Sequence, residues 1–201
     1  MSPFDTSIAA IVLAAGRSTR MGAHKLLLPL GGRPLVSYAV AAACASRAAP
    51  VLVVLGHDAE AVRVALPPYR QRYVVNDAFA SGMASSLRAG IAALPPSATG
   101  ALVLLADQPL VTAALVDEVL AEAATHPEQI VAATYAGVRS HPVYFPRALF
   151  AELAAVAGDE GGRSVLARHA DLVRLLPLEP AAAALDVDRP GDYERVVAAW
   201  G

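Results

Sequence analysis

Three separated groups of residues have types and spacing able to do chemistry. Asp107 follows directly on the apolar run Ala101–Ala106, and in Leu185-Asp186-Val187-Asp188 two acids alternate with two apolar residues. A strand over Leu185–Val187 would set both carboxylates on one face and the apolar pair on the other. Acids at buried strand ends need a cation or hydrogen-bond donors, and hard carboxylate oxygens suit Mg²⁺ carrying substrate phosphates. Taken alone, Asp107 serves equally well as a cap on the following turn. The third group lies far upstream, where Ile11–Leu13 runs into Gly16, Arg17, Arg20, Gly22 and Lys25. Gly16 lets backbone amides approach an anion, and the three cations can neutralise it. That chemistry suits a polyphosphate, although the residues alone leave an ordinary solvated loop open.

Spacing excludes two familiar phosphate sites. A P-loop places four residues between its glycines and follows the second with Lys and Ser/Thr, whereas Gly16 and Gly22 have five between them. The G-x-G-x-x-G fingerprint is absent, which disfavours an NAD-linked oxidoreductase. Farther along, Gly161 and Gly162 precede Arg163 at a predicted helix start, the makings of an anion site or of a plain turn. His141 by itself reads as a strand-edge packing residue. His24, His57, His126 and His169 lack metal-ligand spacing, and Cys44 reads as a buried, inert thiol that has no second cysteine to pair with.

These residues need rigid elements to bring them together. Strands are predicted at 8–13, 51–55, 72–75, 101–106, 130–135, 141–145, 172–176 and 185–187. Helices are predicted at 34–46, 59–66, 85–94, 113–124, 147–157, 162–169 and 192–200. Pro34 suits a first helical turn, Ser81 and Thr112 suit N-caps, and Asp192 reads as the cap of the last helix. The first, second and fourth strands are apolar throughout, the pattern of strands buried on both faces in a mostly parallel sheet covered by helices. In such a sheet ligands bind outside the carboxyl ends of the strands, where the basic loop and Asp107 fall.

The composition bounds the remaining possibilities. The 201 residues suit one α/β domain, residues 1–201, without a repeat or low-complexity linker. A net charge of −2 provides no global field for nucleic acid or anionic lipid. Each apolar run is interrupted before the ~18 residues a spanning helix needs. Asp5, with no Lys or Arg ahead of the apolar stretch 8–15, reverses the charge order of a signal peptide. The expectation is a soluble cytoplasmic protein with no membrane or nucleic-acid partner.

The first loop, L-A-A-G-R-S-T-R-M-G-A-H-K, resembles the signature L-A-A-G-x-S-x-R-M-G-x-x-K of the molybdopterin nucleotidyltransferases, within the nucleotide-diphospho-sugar transferase superfamily. The resemblance runs from this loop to Asp192. It implies a single-domain, Rossmann-like three-layer α/β/α sandwich with a mostly parallel central sheet. It implies that Leu13, Ala14, Ala15, Gly16 and Arg17 wrap a nucleoside triphosphate, with Arg20 and Lys25 holding its phosphates. Asp107, in a D-x-P segment, and Asp188, in D-x-D-x-P-x-D with Arg189 in place of the usual Thr, match the metal ligands, implying Mg²⁺. Asn76 followed by Gly82, Met83, Ser85 and Ser86 resembles the cytidylyl branch, and Ala15 stands where guanylyl-transferring relatives have Gly.

On the acceptor side, His141 and Pro142 match a G-H-P segment in which Ser140 replaces Gly. Asp159, Gly161, Gly162 and Arg163 match G-D-x-G-x-R, taken to hold the phosphate of a pterin. The implied reaction is attack of the phosphate of molybdopterin, or of the molybdenum cofactor, on the α-phosphorus of CTP, with Arg20, Lys25 and Asp107 catalytic. A molybdoenzyme or its maturation chaperone is the further partner implied. Two other readings stay open: cytidylyl transfer to another small phosphate, and a non-catalytic carrier of the molybdenum cofactor. If Asp107 and Asp188 are neighbouring like charges, removing one should leave the free protein as stable or more so.

Overall fold

Ile8–Ala14 forms the central strand of the computed structural model, which describes residues 7–18, 21 and 23–200. This strand, β1, alternates strictly between two cores. Ala10, Val12 and Ala14 pack into one, Ile11 into the other. The remaining strands are β2 (Pro29–Leu30), β3 (Arg33–Pro34), β4 (Val51–Leu55), β5 (Arg72–Val75), β6 (Gly100–Leu105), β7 (Ile130–Tyr135), β8 (Val138–Pro146) and β9 (Val173–Pro177). The helices are α1 (Val36–Ala45), α2 (Ala59–Ala65), α3 (Met83–Ala92), α4 (Ala113–Thr125), α5 (Phe150–Ala155), α6 (Arg163–Arg168) and α7 (Pro190–Trp200).

Seven strands form one sheet in the order β5-β4-β1-β6-β8-β7-β9, and β2 and β3 form a separate small hairpin. Every pairing in the large sheet is parallel except those of β8, which runs antiparallel to both β6 and β7. One face is covered by residues of α1, α4 and α7, including Val40, Val119 and Val196, and the other by α3, α5 and α6, including Leu87, Leu153 and Val165. The expected three-layer α/β/α sandwich is therefore the observed one. Close packing on the second face uses Gly90 of α3, where a Cβ would meet Ile11 Cγ2 at 2.6 Å.

The chain leaves β1 toward β4 on one side, while β6 enters on the other. The carboxyl ends of β1 and β6 thus flank a crevice where strand order reverses. Because β8 is reversed, its first residues lie at that same end of the sheet, beside the turn that follows β6. This single reversed strand brings Ser140 and His141 to the crevice.

Several local expectations are corrected. Residues 185–187 form no strand: Val187 N–H donates one hydrogen bond to the Asp107 carbonyl at 3.1 Å, and the segment crosses the end of the sheet rather than joining a ladder. Ser81 caps nothing, since its hydroxyl donates back to the Ala78 carbonyl and α3 starts at Met83 after Gly82, whose φ of +105° suits glycine. Pro34 belongs to β3, and α1 begins at Val36. Thr112 does cap α4, its hydroxyl accepting from Leu115 N–H at 3.3 Å. Asp192 lies in the first turn of α7 and accepts from the Asp188 and Arg189 amides, a backward cap. Among the described residues no helix is long and apolar enough to cross a membrane.

Candidate active site

Beyond β1, residues 15–18 leave the sheet and the chain turns back at Ser18, whose hydroxyl accepts the Lys25 amide hydrogen at 3.1 Å. The loop is also held from outside. The His24 and His57 rings stack 5.5 Å apart, and His24 Nε2 lies 3.3 Å from the His57 carbonyl oxygen. These contacts set Lys25 at the start of a short 3₁₀ turn, 9% exposed, with its side chain crossing the sheet end.

Lys25 Nζ donates to Asp107 Oδ2 at 2.6 Å and to Asp188 Oδ1 at 2.8 Å. Asp107 arrives two residues past β6, and the bond from Val187 N–H to its own carbonyl brings Asp188 alongside. Burial works against the charged ammonium, but the two carboxylates outweigh it and raise the Lys25 pKa above the ordinary lysine value. Asp186 stands on the same cleft wall. Burial, reinforced by the charges of Asp107 and Asp188, pushes its carboxyl above the usual range. The alternation of acids and apolar residues thus works without a strand, with Val187 fully buried and Asp186 and Asp188 facing the cleft.

This arrangement overturns the expectation that Asp107 and Asp188 simply repel. A lysine between them neutralises both, so removing one acid strips Lys25 of a partner as well as relieving a like charge. It also tests whether the acids suit a divalent ion. Oxygens within 2.8 Å of one shared nitrogen are close enough to share a cation, and carboxylates are the hard donors magnesium or manganese prefers. Among the described residues no third carboxylate, histidine or cysteine completes a protein cage, which leaves further positions to phosphate and water.

Two adjoining chambers open from this cluster. The larger, about 560 Å³, is lined by Ala15, Gly16, Arg17, Lys25, Gly82, Ser86, Asp107, Asp159 and Asp188, among others. The smaller, about 320 Å³, is lined by Gln108, Ser140, His141, Glu160, Gly162 and apolar Val103, Val143 and Phe145. Leu13, Met83, Leu105, Arg163 and Asp186 border both.

Not every predicted site residue reaches a chamber. Arg20 lies outside the described residues. Ala14 is buried under the first chamber, 1% exposed, and Pro142 is buried in β8. Asn76 turns inward, its Nδ2 donating to the hydroxyls of Ser85 and Ser86 at 2.8 and 3.0 Å and its Oδ1 accepting from Ala78 N–H. Ser85 donates to the Gly82 carbonyl. Asn76 and Ser85 therefore brace the start of α3, and of this trio only Ser86 borders the cleft.

The 158–163 segment is also placed differently from expectation. Asp159 borders the larger chamber, where its Oδ1 accepts from Met83 N–H at 3.3 Å, while Ala84 N–H donates to the Gly158 carbonyl. Gly161, with φ +55°, packs on Met83 and lines neither chamber. The segment is a partition between chambers, and Arg163 is its shared cation. His141 faces the smaller chamber, where burial, with the charges of Arg163 and Arg139 behind it, lowers its pKa to about 4 and keeps the imidazole neutral at pH 7.

Sequence reasoning missed Phe79, Ala80, Gln108 and Glu160 as lining residues. Gln108 was adjacent to a singled-out acid, but nothing in its spacing marked the chamber it would face. Cys44 is half-buried, its thiol pushed up by burial.

Comparison with known proteins decides the family. Residues 10–173 match the MobA-like NTP transferase domain. The chain belongs to that family. Among similar proteins, purine catabolism protein PucB of Bacillus subtilis (strain 168) is 32% identical over 196 residues, covering 92% of this chain and 94% of PucB. The nicotine blue oxidoreductase of Paenarthrobacter nicotinovorans is 35% identical over 192 residues, covering 90% and 92% respectively. The crystal structure of Rv0371c from Mycobacterium tuberculosis H37Rv superposes with a TM-score of 0.86 at 34% identity, covering 96% of this chain and 99% of that one. The same mycobacterial protein in complex with manganese superposes at 0.80, 30% identical, with coverage of 96% and 99%. Family membership supports a nucleotide-transfer activity, and a relative has been crystallised with manganese.

Proposed function

We propose that the protein is a Mg²⁺-dependent cytidylyltransferase that moves CMP from CTP to the phosphate of molybdopterin, or of the molybdenum cofactor, and releases pyrophosphate. The observation that carries this reading is the junction of Lys25 with both Asp107 and Asp188 where a cationic glycine loop and a second chamber meet. Asp107 and Asp188 would hold the magnesium ion, which when bound supplies charge neutralisation at the triphosphate. In the larger chamber, Gly16 and Arg17 offer open backbone and positive charge to the nucleotide phosphates. Lys25 holds a full positive charge beside the transferring phosphate, and Arg163 orients the acceptor phosphate from the partition.

An oxygen of the acceptor phosphate bonds to the α-phosphorus as the bond from that phosphorus to the oxygen bridging to the β-phosphate breaks. The electron pair leaves with pyrophosphate. A phosphate nucleophile is already ionised near pH 7, so no side chain need remove a proton. The neutral His141 fits this scheme as a chamber wall that adds no charge.

The choice of cytosine rests on the resemblance at Ala15 and Gly82–Leu87, and pyrophosphate release tests it. With molybdopterin as acceptor and equal triphosphate concentrations, CTP should be turned over faster than GTP. Equal or faster turnover with GTP contradicts the cytidylyl assignment and leaves nucleotidyl transfer standing.

A second reading follows from the relative named an oxidoreductase, in which the larger chamber holds a nucleotide as a redox cofactor. The Lys25–Asp107–Asp188 junction favours transfer, because hydride exchange needs no acid pair beside the phosphates. Nicotinamide nucleotide oxidation without pyrophosphate release would favour the second reading.

A further inference from the structure

Two arginines of the smaller chamber differ from those elsewhere in the fold. Arg70, Arg88 and Arg147 donate to backbone carbonyls, and Arg168, Arg174 and Arg195 pair with carboxylates. Arg139 and Arg163 make no side-chain hydrogen bond or ion pair among the described residues. Arg163 borders both chambers, whereas Arg139 borders the smaller one alone. Glu160 lines that chamber too, yet it forms an ion pair with neither.

Strand register shows which way Arg139 leaves the sheet. Residues opposite one another on neighbouring strands share a face, as do residues two apart along one strand. Arg139 pairs with Thr134 and Val143 with Ala132, so Arg139 emerges from β8 on the face of Val143. That face carries the apolar wall of the chamber, Leu87, Val143, Phe145 and Leu166. Arg163 belongs to α6, one of the helices that cover the same face, so the two arginines reach one chamber from opposite layers. His141 on that wall registers both. Its pKa is lowered by burial first and then by the charges of Arg163 and Arg139. Exposed and unpaired, the two guanidinia are the donors that an anion in the chamber would complete.

We propose that Arg139 is a binding residue for the acceptor phosphate, which it grips from the sheet side while Arg163 grips it from the helix side. The pair fits the acceptor to a phosphate monoester. Two of the three terminal oxygens of a monoester can meet the two guanidinia, leaving the third for the α-phosphorus. A carboxylate would spend both its oxygens on the same contacts and keep none to react. The apolar wall of Leu87, Val143 and Phe145 is left to the body of the molecule. The assignment rests on the nucleotidyl-transfer reading above.

The first test compares wild type with Arg139→Gln in steady-state pyrophosphate release with CTP and molybdopterin. The variant should raise the acceptor KM by about tenfold, the lower end for a hydrogen bond between charged groups because Arg139 is exposed. The calorimetric Kd for CTP and the thermal midpoint should hardly move, since the side chain has no partner to lose in the free protein. An unchanged acceptor KM overturns the assignment. So does an equal loss of CTP affinity, which would put Arg139 on the phosphates of the nucleotide. A chemical readout separates this inference from the reading it rests on. Phenylglyoxal modifies accessible arginines, and peptide mass mapping follows the rate at each one. Inorganic phosphate should slow modification of Arg139 and Arg163 but not of Arg72, which is exposed on β5 at the far edge of the sheet. Acetate at equal ionic strength should protect Arg139 less. Absence of turnover in wild type would refute the transferase reading, while selective protection by phosphate would still support an anion site at Arg139. Protection no greater than at Arg72, or equal protection by acetate, overturns it.

Discussion

Lys25 carries more than one charge-balancing role, because its ammonium sits where two aspartates would otherwise face each other. Lys25→Ala should lower turnover by ~10²–10³, the usual cost of removing a fixed donor at a developing charge. It should also lower the thermal midpoint in metal-free buffer, and added Mg²⁺ or Mn²⁺ should recover part of that loss by standing in for the ammonium. Differential scanning fluorimetry with and without metal measures both effects; a midpoint insensitive to metal in this variant would count against a shared ion site. His141 allows a pH prediction. Its pKa is about 4 in the folded protein against an ordinary 6.5, so between those values the unfolded chain binds a proton that the folded chain does not. Stability therefore falls as pH drops from 6.5 toward 4, by an amount on the order of 2 kcal/mol. Urea midpoints from pH 7 to 4.5 should show a smaller decline in His141→Asn than in wild type.

The elements hold these side chains through a few tight approaches. Gly56, directly after β4, is one: a Cβ there would lie 2.6 Å from Phe79 Cβ and 2.7 Å from Ala15 Cβ, both in residues bordering the larger chamber. Gly56→Ala should raise the KM for the nucleotide by pushing those walls apart, and nucleotide calorimetry should show the same weakening. Thr112→Ala, at the N-cap of α4, should cost about 1 kcal/mol, roughly 2–4 °C in midpoint, with turnover little changed because Thr112 borders neither chamber. The parallel core was legible in the sequence because strands buried on both faces cannot avoid being apolar throughout, as in Val51–Leu55. The start of α7 was legible through Asp192. The supposed strand at 185–187 was not, because period-two alternation arises whenever an extended segment lies between core and cleft, with or without a neighbouring strand. The inward turn of Asn76 was equally hidden: an amide near a glycine loop looks the same in sequence whether it faces a ligand or two buried serines.

At the scale of the whole molecule, the site exists because the sheet reverses order between β1 and β6 and reverses direction at β8. The first reversal opens a crevice for the larger chamber, and the second carries Ser140 and His141 to the end of the sheet that holds Asp107. The glycine-rich basic loop and the first acid stood out because each follows an apolar run at a strand end. The division into two chambers was not, since it depends on the 158–163 segment docking on the Met83 and Ala84 amides through the Asp159 carboxylate and the Gly158 carbonyl, a pairing between distant residues that spacing does not announce. What unifies the arrangement is the pair of carboxylates brought to one point from residues 107 and 188, and their joint need for a cation. The most direct test is Mg²⁺-dependent pyrophosphate release from CTP, with molybdopterin as acceptor, in wild type, Asp107→Ala, Asp188→Ala and the double variant. Release by wild type, lost to a similar extent in each single variant and no further in the double, is the predicted result; full activity in either single variant would contradict the shared-metal transfer site.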